Sequence, residues 1–383
     1  MKWLKILAVL VAAAGALVLA GGLVLARMLR VAALEVSPDH APDPYDLEVA
    51  ELTENTITLR PAARRPRSDA AANGTWGIES AALAYNQVGP VVERRGRDVV
   101  REYRHLQGGL AVGDHVRMDP FALPPDPHAA HALAFEDITL NSPLGRFPAW
   151  YMEGDTSVWA ILVHGKGANR REALRIMPVL HREGLHCLAI TYRNDVDCPP
   201  DPDGFYAYGR TEWEELEAAA AYALAHGAER LVIVGYSMGG AITMSFMARS
   251  KLARHVAALI LDAPMLHLGE TIAWGATQLR VPRRALAVSN RIVSQRYGVR
   301  WGEVDYTSRT AHLDVPILLF HGDADTVIPV ALSDAFAEAH PELVTYVRVE
   351  GAGHVHAWNV DRPRYETAVR IFLATVSLSP APA

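Results

Sequence analysis

The feature that most constrains this chain is a short apolar run that ends in a serine between two glycines. Residues 231–236 are rich in β-branched residues, as a buried strand is, and residues 238–250 have the Ala- and Met-rich composition of a helix. The joining sequence is Gly235-Tyr-Ser237-Met-Gly239. A turn that raises a serine out of a sheet edge strains the backbone and needs small residues two positions away on either side. The pattern predicts a nucleophile at Ser237; the alternative is an ordinary surface serine in a glycine-rich turn.

From residue 135 onward, segments typical of strands and of helices alternate, which predicts an α/β fold with a mostly parallel sheet and helices on both faces. We expect strands at 158–163, 185–192, 231–236, 256–261, 316–321 and 343–349, and helices at 172–183, 211–226, 238–250, 333–339 and 365–376. A capping box of Thr211 and Glu214 is expected to begin the second of these helices. Residues 265–313 interrupt the alternation, and we expect a small helical cap over the carboxyl ends of the strands, where the active loops of parallel sheets lie.

Two further strand-end loops can complete a catalytic site. A serine hydroxyl needs a base to take its proton and a carboxylate to orient that base. Asp325 follows the predicted strand at 316–321, and His354 follows the strand that ends at residue 349. Both loops face the same sheet edge as Ser237, in the chain order Ser, acid, His. We therefore assign Asp325 as the acid and His354 as the base.

Alternatives exist for both assignments. Asp323, in the same loop as Asp325, is expected to stabilise the turn by bonding to backbone amides. Asp262, at the end of the strand 256–261, is a second candidate acid. His356 is a second candidate base, although the glycines at 351 and 353 are better placed to present residue 354.

An oxyanion formed during acyl transfer needs two backbone N–H donors. We assign one to Met238, which follows the nucleophile at the start of its helix. The other is assigned to Lys166, in the loop 164–167 after the first predicted strand. The Lys166 side chain itself is expected to be exposed to solvent.

These motifs together resemble the α/β-hydrolase superfamily. They come in that family's order and spacing: His-Gly-Lys-Gly at 164, Gly-Tyr-Ser-Met-Gly at 235, Leu-Asp-Ala-Pro at 261, His-Gly-Asp-Ala-Asp-Thr-Val-Ile-Pro at 321 and Gly-Ala-Gly-His at 351. The resemblance covers about residues 135–378 and implies Ser237, Asp325 and His354 as the triad. The anchored, capped arrangement is most similar to membrane-bound serine esterases and lipases of the superfamily, and more weakly to the catalytic domain of prolyl-oligopeptidase-type peptidases.

The first 30 residues predict a transmembrane anchor. Lys2 and Lys5 precede an uncharged stretch of 21 residues, 6–26, which Arg27 and Arg30 close. A helix of that length spans about 30 Å, the thickness of a bilayer core. A signal peptide cleaved after residues 18–20 is the alternative. The amino-terminal charges favour the N-terminus inside and the catalytic domain outside the cytoplasm.

Residues 31–134 have a different pattern from the alternating segments after residue 135. Proline and aspartate cluster at 37–44, a predicted linker, and prolines recur at 120–127, a second one. Short alternating runs at 56–59, 75–78, 90–92 and 98–100 predict a small β-rich module. We therefore divide the chain into an anchor at 1–30, a β-rich module at 31–134 and a catalytic domain at 135–378.

Composition excludes several classes. The net charge of −6 gives no reason to expect a nucleic-acid partner. Two cysteines, Cys187 and Cys198, exclude a disulfide scaffold, and we expect both to be free thiols, with one bridge between them as the alternative. No zinc motif or nucleotide-binding loop occurs, and His128 and His131 fall in a Pro/Ala-rich linker, so no metal or cofactor is expected.

The predicted function is hydrolysis of carboxylic esters, with an acyl or lipid-like ester as substrate. A capped apolar pocket beside a membrane suits such a substrate. Tyr208 and its aromatic neighbours at 205–206, with Trp274, Trp301 and Trp358, can contribute apolar walls. The alternatives are a serine peptidase, an acyltransferase and, from another class, a non-catalytic scaffold. Oligomeric state is left open.

Overall fold

The computed structural model describes residues 2–36, 44–311 and 313–376, with side chains from residue 15 onward. Of the predicted linker at 37–44, residues 37–43 lie outside the described residues, as does the Pro/Ala-rich tail at 377–383. The strands are β1 (Leu47–Leu52), β2 (Thr56–Pro61), β3 (Trp76–Ser80), β4 (Tyr85–Arg95), β5 (Asp98–Gln107), β6 (His115–Asp119), β7 (Glu136–Ser142), β8 (Gly145–Met152), β9 (Val158–Val163), β10 (His186–Ile190), β11 (Arg230–Tyr236), β12 (Val256–Asp262), β13 (Ile317–Gly322) and β14 (Val344–Val349). The helices are α1 (Lys2–Leu29), α2 (Pro127–His131), α3 (Met177–Arg182), α4 (Trp213–Ala225), α5 (Met238–Arg249), α6 (Leu268–Gln278), α7 (Arg283–Tyr297), α8 (Val330–Ala339), α9 (Ala357–Val360) and α10 (Arg362–Thr375).

The larger sheet has eight strands in the order β14-β13-β12-β11-β9-β10-β8-β7. The six strands from β14 to β10 run parallel, and β8 and β7 add an antiparallel edge. Strands β9, β12 and β13 are buried along their whole length, and β11 from Leu231 onward, because helices cover both faces. The carboxyl ends of these buried strands meet at one edge of the sheet, which is where the candidate site lies.

Some of these elements differ from those predicted from the sequence. The hairpin of β7 and β8 was not predicted. The predicted helix at 172–183 consists of a 3-10 turn at Arg170–Arg175 followed by α3. The predicted capping box is wrong, because the Thr211 hydroxyl donates to Asp201 Oδ2 at 2.8 Å instead of capping α4. The Thr211 hydroxyl is therefore bonded to the buried Asp201 carboxylate and not, as the sequence pattern predicted, to a backbone amide of the helix.

The β-rich segment forms a small closed barrel in the order β1-β2-β5-β4-β3-β6. Its interior holds apolar side chains such as Leu47, Ile57, Ile78 and Val88. Closure gives every strand two neighbours, which removes the unpaired edges that otherwise invite aggregation. Both cysteines of the chain, outside this barrel, are free thiols as expected.

One buried cation organises a loop of the barrel. The side chain of Arg101, on β5, is fully buried, and its guanidinium donates to backbone carbonyls. These are the oxygens of Gly89, Ala70, Ala72 and Gly74, at 2.6–3.0 Å. Burial lowers the pKa of Arg101 to about 10, so the group stays charged at neutral pH. Arg101 therefore holds the loop 70–74 against the barrel wall.

The N-terminal helix α1 continues into a π-helical turn at Arg30–Leu34. Within the described residues, Gly15–Leu34 is long and apolar enough to cross a membrane, a property that signal sequences share. The C-terminal part of α1 packs on α7, where a side chain at Gly22 would overlap Val288. The absence of a side chain at this position allows the two helices to approach closely.

Substitution of Arg101 by methionine is expected to destabilise the protein. The change leaves several buried carbonyl oxygens without a donor, and each unmet buried acceptor costs about 1–3 kcal/mol. We expect the free energy of unfolding of the full-length protein in detergent to fall by about 3 kcal/mol. Arg104→Met, at an exposed position on the same strand, is the matched control. Equal urea midpoints for the two variants would contradict the role given to Arg101.

Candidate active site

Ser237 lies in a strained turn between β11 and α5, with φ of 50° and ψ of −114°. An L-residue rarely adopts this backbone conformation, and such strain is characteristic of functional turns. Its amide donates to the Asp262 carbonyl at 3.0 Å, which ties the turn to the neighbouring strand. A side chain at Gly239 would collide with the Val163 carbonyl oxygen on β9, so the first turn of α5 can approach the sheet only with glycine there.

The structure brings together the three side chains that were predicted from separate loops. The Ser237 hydroxyl lies 2.8 Å from His354 Nε2. On the other side of the imidazole, His354 Nδ1 lies 2.7 Å from Asp325 Oδ2. A neutral imidazole can donate from Nδ1 to the carboxylate and accept at Nε2 from the hydroxyl, which is the arrangement that prepares a serine for proton loss.

Asp325 is held as an anion by the groups around it. Burial by itself would raise the pKa of this carboxyl, but hydrogen bonds from His321 and His354 bring the pKa below its ordinary value. Oδ1 also accepts the amides of Val327 and Ile328, at 2.7 and 2.9 Å. The carboxylate therefore keeps its charge and orientation beside the imidazole.

His321 lies in the motif that contains Asp325 but was not among the predicted site residues. Its ring is fully buried, with Nε2 3.1 Å from Asp325 Oδ2 and Nδ1 2.7 Å from the Ser333 hydroxyl. It therefore contacts the same Asp325 oxygen, Oδ2, that His354 Nδ1 contacts. Its place at the end of β13, four residues before the acid, is the only sequence signal that could have suggested this.

The two other candidate acids, Asp323 and Asp262, lie close to this site. Asp323 Oδ1 accepts the Gly351 amide at 2.8 Å, so it joins the acid loop to the histidine loop. Asp262 is buried at the end of β12, and burial raises its pKa to about 6. Because His354 Nδ1 is bonded to Asp325, Asp262 does not occupy the acid position.

His356, the alternative base, packs against the barrel. Its ring meets Trp76 edge-on, with 4.6 Å between the ring centroids. Burial, with a smaller contribution from the charge of Arg175, lowers the pKa of His356 to about 3. The imidazole that contacts Ser237 is that of His354.

Lys166 and Met238, the residues predicted to supply the oxyanion donors, border the same cavity as Ser237 and His354. Met238 begins α5, where backbone amides have no partner within the helix. The Lys166 side chain, which was expected to be exposed, is half-buried. Its Nζ donates to the Ala32 carbonyl at 2.6 Å, and burial lowers its pKa. Local sequence could not reveal a partner 134 residues away in the N-terminal segment.

A buried arginine connects the loops around the site. Arg175 donates to the Val355 carbonyl at 2.8 Å and to Asn359 Oδ1 at 3.0 Å, which fixes the loop that carries His354. Arg175 also pairs with Glu172, whose carboxylate accepts the Gly165 amide at 2.7 Å. The loop that carries the base and the loop that carries Lys166 are thereby joined through one ion pair.

Asn359 extends this connection to the barrel. Its side-chain amide donates to the backbone carbonyls of Thr75 and Pro120, at 2.8 and 3.0 Å. Its backbone carbonyl accepts a hydrogen bond from the Thr75 amide. The Thr75 segment follows the loop that Arg101 holds. The barrel is thus attached to the segment directly after the histidine loop.

Ser237 and His354 lie between two cavities. The larger, about 480 Å³, is mainly apolar and is bordered by α1, by the following π-helical turn and by the cap helix α6. The smaller, about 240 Å³, is bordered by Glu172, Arg175 and the barrel-side segment Pro120-Phe121. Of the aromatic residues expected to form the cavity wall, Tyr208 borders the larger cavity. Trp301 and Trp358 are not among the residues that border it, and their indole N–H groups donate to the Asn290 carbonyl and to Glu366.

His356 should make the protein sensitive to acid. In the unfolded chain an imidazole takes up a proton near pH 6.5, but in the folded protein the pKa of His356 is about 3. Between these pH values the unfolded state binds more protons, so stability falls as the pH falls through this window. His356→Gln removes this contribution, and we expect a smaller loss of melting temperature between pH 7 and pH 4 than in wild type. His128→Gln, at an exposed position, is the control; an unchanged pH dependence in His356→Gln would contradict the assignment.

Comparisons with known proteins agree with this architecture. No protein-family model matches the chain. An uncharacterized protein of Mycobacterium tuberculosis, strain H37Rv, is 26% identical over 264 residues, which are 66% of this chain and 85% of the relative. The crystal structure of an esterase from Pyrococcus furiosus superposes with a TM-score of 0.51 at 18% identity, over 64% of this chain and 92% of the esterase. With the strand order and the serine turn, this likeness shows that the chain has the α/β-hydrolase fold.

Proposed function

We propose that this protein is a serine hydrolase that cleaves carboxylic esters through an acyl-enzyme. The observation that carries the proposal is the hydrogen-bonded chain from Ser237 through His354 to Asp325, open to an apolar cavity. A strained serine, a hydrogen-bonded imidazole and a buried anion together are what nucleophilic acyl transfer requires. The named activity of the Pyrococcus furiosus esterase agrees with this choice.

In the proposed reaction the Ser237 oxygen attacks the ester carbonyl carbon as His354 Nε2 takes the hydroxyl proton. The resulting imidazolium is stabilised by the Asp325 carboxylate. Collapse of the tetrahedral intermediate breaks the bond to the alcohol, which leaves with the proton from His354. Water then attacks the acyl-serine with His354 again as base, and the carboxylic acid is released.

We propose the amides of Lys166 and Met238 as donors to the oxyanion. Both residues border the cavity at the serine, and α5 begins at Met238, so its N-terminal partial charge favours an anion there. The Lys166 side chain has a different role, since its Nζ is bonded to Ala32.

The two cavities suggest how an ester is oriented. We assign the acyl group to the larger, apolar cavity and the departing alcohol to the smaller cavity beside Glu172 and Arg175. Each methylene buried in an apolar site contributes about 0.8 kcal/mol, so longer acyl chains should bind better until the cavity is filled. An acyltransferase, the alternative function, would form the same acyl-enzyme and then transfer the acyl group to an acceptor other than water.

We further propose that α1 is an uncleaved membrane anchor with the catalytic part outside the cytoplasm. Supporting this, the segment after residue 20 is packed against the rest of the protein, at Gly22 and at Ala32. In intact cells that carry the full chain, external protease should digest the C-terminal part. Protection of that part in intact cells, with digestion after lysis, would reverse the proposed orientation.

The triad can be tested with p-nitrophenyl esters of graded chain length and matched peptide amides. Ser237→Ala and His354→Ala should each lower kcat by at least about a thousandfold with little change in KM, because the binding cavity is left intact. His128→Gln, at an exposed position, serves as the histidine control and should keep its activity. Full activity in the His354→Ala variant would contradict the assignment of His354 as the base. Faster cleavage of amides than of esters would favour a peptidase instead.

A further inference from the structure

The anchor helix takes part in the candidate site. Leu25, Met28 and Leu29 of α1, with Ala32 and Ala33 of the following turn, border the same cavity as Ser237. The opposite side of the cavity comes from cap helix α6, through residues such as Ile272 and Leu279. A segment that served only to tether the protein would have no reason to line the cavity of its nucleophile.

Three hydrogen bonds fix this segment to the catalytic part. Lys166 Nζ donates to the Ala32 carbonyl at 2.6 Å, and the Tyr208 hydroxyl donates to the Ala33 carbonyl at 2.8 Å. The Tyr206 amide donates to the Leu34 carbonyl at 2.9 Å. The position of the end of α1 relative to the serine is therefore defined by the fold.

The outer end of the cavity is apolar. Met28, Leu279 and Val327 border the cavity and are also 51%, 67% and 51% exposed. Further exposed apolar side chains lie on α1, at Leu17, Leu19, Leu23 and Val24, and in the following turn, at Val31. An apolar surface of this extent, on a helix long enough to cross a bilayer, fits hydrocarbon better than water.

The charge around this opening fits a membrane surface. Residues 265–313 carry seven arginines against three acidic side chains, a formal charge of +4 in a chain whose total is −6. Arg280, in the turn between α6 and α7 next to Leu279, and Arg283 and Arg284, at the start of α7, are all exposed. An exposed apolar residue beside clustered arginines is suited to insertion among acyl chains with the cations at anionic headgroups.

We propose that the substrate is an acyl ester of a membrane lipid, whose acyl chain passes from the bilayer into the cavity between α1 and α6. This inference rests on the proposed esterase function and specifies the substrate and its route. The acyl chain moves along an apolar path from the opening at Met28 and Leu279 to Ser237, so it is not exposed to water. A substrate that arrived from solution would have no use for an apolar opening beside the anchor.

The test uses the full-length protein in vesicles that contain phosphatidylglycerol. Hydrolysis of p-nitrophenyl butyrate, a soluble short ester, is measured beside fatty-acid release from the vesicle lipid. Wild type is expected to release fatty acid. Met28→Trp narrows the opening and should lower the ratio of lipid to butyrate turnover at least tenfold. Leu17→Trp, on the exposed face of the same helix, should leave the ratio unchanged.

The outcomes separate the two proposals. If wild type hydrolyses butyrate no faster than Ser237→Ala, the proposed function fails. If butyrate is cleaved normally but no fatty acid is released, or if Met28→Trp leaves the ratio unchanged, the membrane route alone is overturned.

A second measurement does not depend on activity. Leu279→Trp places an indole at the opening, and lipids brominated along the acyl chain should quench additional fluorescence relative to wild type. Val112→Trp, at an exposed position outside the cap, should add fluorescence that these lipids do not quench. Absence of quenching at residue 279 would contradict contact between the opening and the bilayer.

Discussion

The contact between Ser237 and His354 is the interaction on which the rest of the structure's function depends. The two residues are 117 positions apart, yet their side chains meet at 2.8 Å. A hydrogen bond of this kind weakens steeply with misplacement, so the elements that carry the two loops must be positioned to a fraction of an ångström. The parallel sheet provides that rigidity, because β11, which precedes Ser237, and β14, which precedes His354, are paired through β12 and β13 and their ends cannot move independently.

Two further groups of contacts maintain this geometry. Arg175 joins the histidine loop to the Lys166 loop through Glu172, and Asn359 joins the segment after the histidine to the barrel. On the opposite side, Lys166 and Tyr208 hold the end of the anchor helix. The barrel and the anchor, which are outside the eight-stranded sheet, are thus both in contact with the loops of the site.

The sequence was most informative where function depends on strand ends. Residues after consecutive parallel strands meet at one edge whatever the details of packing, so the proximity of Ser237, Asp325 and His354 could be predicted. Contacts that depend on the tertiary arrangement could not. Thr211 was expected to cap a helix but bonds to Asp201, and the Lys166 side chain finds the Ala32 carbonyl in a distant segment. The local sequence likewise could not show that α1 borders the cavity, because a membrane anchor and a cavity wall have the same apolar composition.

The most direct test of the central claim is to identify the residue that acts as the nucleophile. The full-length protein would be treated with an alkyl fluorophosphonate, which forms a stable adduct with an activated serine, and digested with trypsin. The peptide of residues 231–249 contains Ser237 and Ser245, so fragmentation distinguishes the two hydroxyls. We expect one adduct per chain, on Ser237, and none in His354→Ala. An adduct on another residue, or none on the wild-type protein, would contradict the assignment of Ser237 as the nucleophile.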